Sequence, residues 1–299
     1  MSERATRGDA GGNTGDINES TSVDTEFRQH QQQWRRQFVG RVVIVVSLVI
    51  LVIAVARWLG FDIGYLYAHR GNLWSVLAEE MLAPEALLTQ LQGDAGMLVP
   101  AAAETLAIAA VGTALGLPIA LCLGTIAANT VTPRWVHMPV RLLLGGVRAV
   151  PSMVYALLFV ILAGLGPVAG ALAIAVGSIG DLGRLFADEM EEINEQPIEA
   201  VQSSGASAVS VTAAARLPQV KTAYIAWTLF YLEINARKSS VLGIVGAGGL
   251  GFPLIMAFRA RNYTRVMAVI LAILILIITV ETTANRLRER FRSNRRADQ

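Results

Sequence analysis

Long apolar runs dominate this chain and decide what it can fold into. Crossing the roughly 30 Å hydrocarbon core of a membrane takes about 20 helical residues, and inside it a backbone must satisfy its own hydrogen bonds. The sequence therefore predicts an all-α polytopic membrane protein with about six transmembrane helices. The runs cover approximately residues 39–59, 98–127, 141–164, 168–186, 220–236 and 266–285.

Basic residues predict how these spans are oriented, because Lys and Arg are enriched on the cytoplasmic side. Arg35, Arg36 and Arg41 precede or begin the first run, and a basic stretch follows the last one. With six spans, both termini are predicted to be cytoplasmic, and the chain is predicted to lie in the cell (inner) membrane. One basic cluster breaks this rule on the outer side: Arg237, Lys238, Arg259, Arg261 and Arg265.

Composition divides the chain into four parts. Residues 1–37 are polar and mixed in charge, so we expect a disordered cytoplasmic tail. Residues 38–97 are predicted to hold the first transmembrane helix and an external interfacial segment. Residues 98–290 are predicted to form the main transmembrane domain, and residues 291–299 a second cytoplasmic tail.

Small residues indicate where helices pack. Gly112, Gly116 and Gly124 recur at multiples of four residues in the second run. A stripe of this kind lets two helix backbones approach closely within lipid. We therefore expect this face of the helix to pack against another span.

Catalytic and metal-binding patterns are not evident. The single cysteine, Cys122, excludes an intrachain disulfide and a cysteine metal cluster. The spans show no paired Asp residues and no Ser with His, and the chain has no G-x-x-x-x-G-K-[ST] phosphate loop. We predict that the chain is not an enzyme, binds no metal or cofactor of its own, and has no nucleic-acid partner.

The stretch Glu199–Pro218 is polar to mildly apolar and lies between strongly apolar runs. Pro197 can open a helix at its first position, where no amide donor is lost. Gly205 permits a bend, and Pro218 can end a helix. Its small side chains would let another protein approach closely, although an ordinary cytoplasmic loop with an Ala-rich helix has the same composition.

The spacing within this stretch resembles the EAA loop of the membrane subunits of ATP-binding-cassette importers, E-A-A-x3-G-x9-I-x-L-P. Val201 and Ala215 depart from that pattern conservatively. The resemblance implies a cytoplasmic loop over residues 187–218 that docks onto an ATPase subunit. The matching positions are Glu199, Ala200, Gly205, Leu217 and Pro218.

Arg148 in the third run is costly in lipid and should face a cavity or a partner. A guanidinium can bind phosphate-like oxygens in a fork, so Arg148 is a candidate anion contact. An ion pair with Asp181 on the fourth run is the equally weighted alternative. Pro151, three residues on, leaves the carbonyl of Val147 without its helical donor and is expected to kink the span.

Several polar residues are candidates for the substrate pathway or a gate. Glu233 and Arg237 have the i, i+4 spacing of a salt bridge, so this group is also compatible with a structural network. Asn235 and Ser240 add hydrogen-bonding groups near them. Glu104, near the outer end of the second run, has Arg237 or Lys238 as candidate partners.

A glycine-rich run follows the fifth span. It could offer backbone amides as an anion-binding nest. A tight re-entrant turn that needs residues without a Cβ is the favoured interpretation. The glycines concerned are Gly246, Gly248, Gly249 and Gly251.

From about Glu104 onward the chain resembles the PhnE-type permease subunits of phosphonate, phosphite and phosphate importers. The resemblance implies the type I ABC importer (MetI-like) fold. It also implies three kinds of partner besides lipid: a dimer of ABC ATPase subunits that holds ATP and Mg, an extracytoplasmic substrate-binding protein, and a second copy of the chain. It is carried, besides the EAA-like loop, by Glu104–Leu106, Arg148–Pro151, Gly164–Pro167, Leu232–Arg237 and Val241–Gly251.

Two other transport functions remain open at this stage. The glycine run and Arg-x-x-Pro also resemble methionine and quaternary-amine permeases, and a zwitterionic substrate would bring a carboxylate to the same cations. An ion-coupled secondary transporter would call for inverted repeats and paired broken helices. Only one glycine-broken segment is evident, which disfavours that class.

Overall fold

The computed structural model describes residues 38, 40–61 and 63–297, and the predicted tail 1–37 lies outside this range. Within it, every regular element is a helix, as predicted. The chain divides into two compact units, one up to Gly71 and one from Asn72. The first unit contains α1 (Gly40–Trp58), which is long and apolar enough to cross a membrane, and the short α2 (Ile63–Ala68).

The second unit is a helical bundle. A short helix, α3 (Arg70–Trp74), joins the two units in sequence. The remaining helices are α4 (Pro84–Ala127), α5 (Arg134–Ala149), α6 (Ser152–Ala163), α7 (Pro167–Glu191), α8 (Gln196–Ser203), α9 (Ala208–Val211), α10 (Leu217–Leu242), α11 (Gly251–Arg259) and α12 (Tyr263–Ala297). Two short π-helical turns occupy Ser75–Met81 and Thr212–Arg216, and a short 3₁₀-helical turn occupies Gly243–Val245.

By length and apolar composition alone, the described helices include fewer candidates for crossing a membrane than the six predicted spans. Among the described residues, α1, α4, α7 and α12 are long and apolar enough to cross a membrane, and α5 with α6 makes a fifth if that bent pair is one span. The fifth predicted run became α10, which is 26 residues long but mixes charged with apolar residues. Helix α4 begins 14 residues before its predicted start; its 44 residues extend about 66 Å at 1.5 Å per residue.

The core of the bundle is the parallel pair α4 and α7. A Cβ on Gly116 would lie 2.6 Å from the carbonyl oxygen of Ala175, and one on Gly124 would lie 2.7 Å from that of Gly183. The two backbones therefore touch along the glycine stripe, which confirms that the stripe is a packing surface. Contact this close leaves no room for the helices to slide past one another without separating.

The third predicted span is not one continuous helix. Helices α5 and α6 meet at an angle of 83°, with Pro151 at the break. The carbonyl of Val147, which loses its helical donor to the proline, accepts a hydrogen bond from the Tyr155 hydroxyl at 2.9 Å. The predicted kink is confirmed, and a side chain of the following helix satisfies the backbone group that the kink exposes.

Candidate functional site

One charged cluster joins three helices around Asp181 of α7. Lys238 of α10 donates to this carboxylate at 3.0 Å, and the Nε of Arg148, in the last turn of α5, lies 3.4 Å from it. The Asp181 side chain is 14% exposed, whereas that of Arg148 is 56% exposed. The structure thus forms the ion pair while leaving more than half of the Arg148 side chain accessible, so the two interpretations of Arg148 are compatible.

A second charged cluster surrounds Glu233 of α10. Arg288 of α12 donates to the carboxylate at 2.7 Å, and Arg237 lies 3.5 Å from its other oxygen. The pairing with Arg237 is the predicted i, i+4 contact. The shorter pairing with Arg288 was missed, because a partner 55 residues away leaves no local spacing to detect. Each of the two clusters contains two cations and one carboxylate.

Two predicted pathway residues lie inside the helix interfaces. Asn235 is 1% exposed, and its amide donates to Thr113 and Ser178, both at 2.9 Å. Ser240 is 3% exposed and donates to the carbonyl of Ala236 at 3.2 Å. Asn235 therefore holds α10 against α4 and α7, whereas Ser240 is satisfied by its own helix, and neither faces open space in this arrangement.

Glu104 lies in a cavity of about 580 Å³ that Leu165, Phe252 and the glycine run also line. Its expected partners are engaged elsewhere, Lys238 with Asp181 and Arg237 with Glu233. Among the described residues, Glu104 itself forms no ion pair or hydrogen bond. Arg265, also in the lining, is matched by Asp94 at 2.9 Å.

The glycine run is a tight turn. Gly246, Gly248 and Gly249 have φ values of 88°, 83° and 71°, a region that strains any side chain with a Cβ. A Cβ on Gly248 would also lie 2.6 Å from the Glu104 carboxylate, and one on Gly251 would collide with the backbone of Ser240. These observations favour the turn interpretation over the anion nest.

The segment with the EAA-like spacing folds as α8, α9 and the turn Thr212–Arg216. Gly205, with φ 77°, separates the two helices, and the Ser207 hydroxyl caps α9 by accepting from the amide of Ser210. Ile198, Val211 and Ala215 form a small core of their own. The motif residues Glu199, Ala200, Gly205, Leu217 and Pro218 are all exposed.

Arg216 occupies the variable position between Ala215 and Leu217, so the motif gave no reason to select it. It is only 7% exposed, and burial lowers the pKa of its guanidinium. Its Nη2 donates to the carbonyl of Thr130 at 2.7 Å. The contact joins the EAA-like segment to the turn between α4 and α5.

Comparison with known proteins identifies the family to which the chain belongs. The sequence pattern of binding-protein-dependent transport system inner membrane components matches residues 120–294. The chain belongs to this family. The match begins at Ala120 within α4 and includes α7, both charged clusters and the EAA-like segment. The predicted transport permease class is therefore confirmed. The predicted multi-pass membrane location is confirmed as well.

Two curated relatives of this permease carry names from phosphorus uptake. The phosphate-import permease protein PhnE of Mycolicibacterium smegmatis is 40% identical over 194 residues, which are 64% of this chain and 36% of that protein. This chain thus spans about a third of that relative's length. The phosphite transport system permease protein PtxC of Stutzerimonas stutzeri is 34% identical over 262 residues, 87% of this chain and 91% of that one. The predicted PhnE-type resemblance is confirmed.

Solved structures establish the fold. A chain from the inward-facing MetNI methionine ABC transporter superposes with a TM-score of 0.57, covering 65% of this permease and 96% of that chain. The two sequences are 22% identical, so the likeness concerns the fold alone. The predicted MetI-like fold is confirmed.

Proposed function

We propose that this chain is the membrane-spanning permease subunit of an ATP-driven importer for phosphonate, phosphite or phosphate. The observation that carries the substrate class is the pair of charged clusters along α10, each with one cation more than its carboxylate neutralises. The names of the relatives agree with this class of substrate. A fixed excess of positive charge lowers the cost of bringing an anion into a low-dielectric bundle.

Arg148 is the residue proposed to meet the substrate. Its Nε faces Asp181 at 3.4 Å, while the side chain remains 56% exposed. The two terminal nitrogens of a guanidinium match two oxygens of a tetrahedral oxyanion, a geometry that a lysine cannot provide. Lys238 keeps Asp181 paired at 3.0 Å when Arg148 turns toward a ligand.

The proposed assembly is based on the family resemblance. We infer that two copies of this chain bind two ATPase subunits, which hold ATP and Mg, and an extracytoplasmic substrate-binding protein that delivers the oxyanion. The exposed face of Glu199, Ala200, Gly205, Leu217 and Pro218 is the proposed docking surface for the ATPase. Both termini would then lie in the cytoplasm, on the same side as that surface.

The transport cycle then needs no chemistry in this chain. Closure of the ATPase dimer on ATP displaces the docking segment, and the bundle switches the substrate pathway between its outward and inward openings. Glu233 and Arg237 lie on α10, which also carries Lys238 of the Asp181 cluster, so the Glu233 cluster would reorganise with it.

The test is ATPase activity of the reconstituted complex, with its own binding protein, in the presence of methylphosphonate, phosphite, phosphate or methionine. We expect stimulation by one or more of the phosphorus oxyanions and none by methionine. Stimulation by methionine alone would overturn the substrate class while preserving the ATP-driven permease. Failure of the chain to bind any ATPase would overturn the proposal as a whole.

A further inference from the structure

The docking segment, residues 196–218, is a small folded unit rather than a flexible loop. Its helices pack around Ile198, Val211 and Ala215, with Ile193 and Val201 partly buried against them. A force on its exposed face therefore moves the segment as a body. How much of this movement reaches the helical bundle depends on the few contacts that attach the segment to it.

Arg216 is one of those points, and the only side chain of the turn Thr212–Arg216 that is buried and charged. Its Nη2 donates to the carbonyl of Thr130 at 2.7 Å. Thr130 belongs to the turn after α4, not to the docking segment or to α10. The bond thus connects the docking segment to the turn after α4, in addition to the covalent connection to α10 through Leu217.

Thr130 is in turn fixed to the inner end of α7. Its hydroxyl donates to the carbonyl of Met190 at 3.2 Å, and the neighbouring amide of Asn129 donates to Glu191 at 2.6 Å. Arg141 of α5 reinforces the same junction, donating to Glu191 at 2.6 Å and to the carbonyl of Ala127 at 3.0 Å. The turn after α4, the C-terminal ends of α4 and α7, and the middle of α5 are therefore held as one block.

This block continues into the most tightly packed part of the bundle. The backbones of α4 and α7 touch at Gly116 and Gly124, so the two helices move together. Asp181, the centre of the proposed substrate cluster, lies on α7. A displacement that enters at Thr130 thus reaches the helix that carries the substrate cluster.

Arg216 is incompletely hydrogen-bonded for a buried cation. Its Nε is buried and, within the described residues, has no hydrogen-bond partner. A buried cation held by one carbonyl costs stability when another of its donors, here the Nε, has left water without compensation. Such a group adds little to the stability of the fold, so its removal should leave the folded chain intact.

We propose that Arg216 is a positioning residue that couples movement of the docking segment to the α4–α7 pair through Thr130. The inference rests on the proposed function, because it presumes that the ATPase moves this segment. Hydrolysis without this link would continue, but less of the movement would reach the bundle. Uptake per ATP hydrolysed is therefore the quantity that Arg216 sets.

The experiment compares Arg216→Met, Arg216→Lys and wild type in the complete reconstituted complex. Lys221→Met is the matched control, because it removes an exposed cation five residues along the chain. Copurified ATPase, thermal stability, basal ATPase rate and uptake per ATP are measured for each. The solute is whichever one the wild-type complex transports, so an error in substrate class does not enter the comparison.

For Arg216→Met we expect normal assembly, unchanged or raised thermal stability, and uptake per ATP lowered about tenfold, a typical allosteric coupling. Arg216→Lys, which can still donate to the Thr130 carbonyl, should recover part of the loss, and Lys221→Met should match wild type. Uptake per ATP within about twofold of wild type for Arg216→Met would overturn the inference, as would a loss that only parallels a loss of assembled complex.

If too little Arg216→Met assembles for uptake to be measured, Arg216→Ala takes its place: assembled complex with reduced uptake per ATP supports the link, and normal uptake per ATP overturns it. The two proposals fail separately. A wild-type chain that binds no ATPase contradicts the proposed function, whereas a coupled wild type with an equally coupled Arg216→Met contradicts only the role of Arg216.

Discussion

At the scale of single residues, two largely buried carboxylates in the bundle each face two cations. Asp181 and Glu233 are 14% and 11% exposed in their side chains, so both are largely withdrawn from water. Removing a carboxylate leaves two cations to repel each other, whereas removing one cation leaves a neutral pair. Removing a carboxylate should therefore lower stability, whereas removing one of its two cations should leave stability nearly unchanged.

Arg148→Ala should lower uptake at least about tenfold while changing the melting temperature little, because Lys238 still neutralises Asp181. Arg184→Ala is the matched control, since Arg184 is similarly exposed and lies at the same 3.4 Å from its own carboxylate, Asp188. Uptake is expressed per folded molecule. Equal uptake by the two variants would show that Arg148 has no special role in the pathway.

Glu233→Gln should destabilise the permease by about 3 kcal/mol, because it leaves Arg237 and Arg288 close together without a carboxylate. Adding Arg288→Met should restore much of that loss by removing one of the stranded cations. Thermal unfolding in detergent measures both variants. Full additivity of the two substitutions would contradict the contact between Glu233 and Arg288.

At the scale of elements, close backbone contact between α4 and α7 defines the core. Gly116→Ala should lower stability by about 3 kcal/mol or more, because the new methyl group would meet the Ala175 carbonyl at 2.6 Å. Gly146→Ala is the control: a Cβ there has nothing within 4 Å, so the better helix former should be neutral or stabilising. Equal melting temperatures for the two variants would contradict the packing.

At this scale, the features that could be predicted from the sequence were those that depend on the spacing of residues within one helix. The four-residue recurrence of glycine predicts a packing face, and Pro151 predicts a break, since both effects arise within one helix. The partner of the glycine face, the 83° bend and the rescue of Val147 by Tyr155 depend on neighbouring elements. Arg288 and Arg216 were missed for the same reason, because their partners are distant in sequence.

At the scale of the whole molecule, the docking segment is the surface on which ATP-driven movement is proposed to act. Glu199→Lys and Gly205→Asp should abolish uptake while the chain remains in the membrane, since Glu199 is exposed and Gly205 has a φ of 77° that strains any other residue. Gly60→Asp is the control, a glycine of the same backbone class, φ 74°, outside the segment. Normal uptake by both docking variants would show that the docking segment does not couple ATP hydrolysis to transport.

ATP-dependent uptake of labelled oxyanion into vesicles tests the central claim most directly. Vesicles carrying the permease with its ATPase are loaded with ATP and given the binding protein and phosphite, phosphate or methylphosphonate outside. The account predicts accumulation of at least one of these ions that requires ATP, and its loss in Arg148→Ala. Uptake that proceeds without ATP in response to an ion gradient, or that admits methionine but none of the oxyanions, would contradict it.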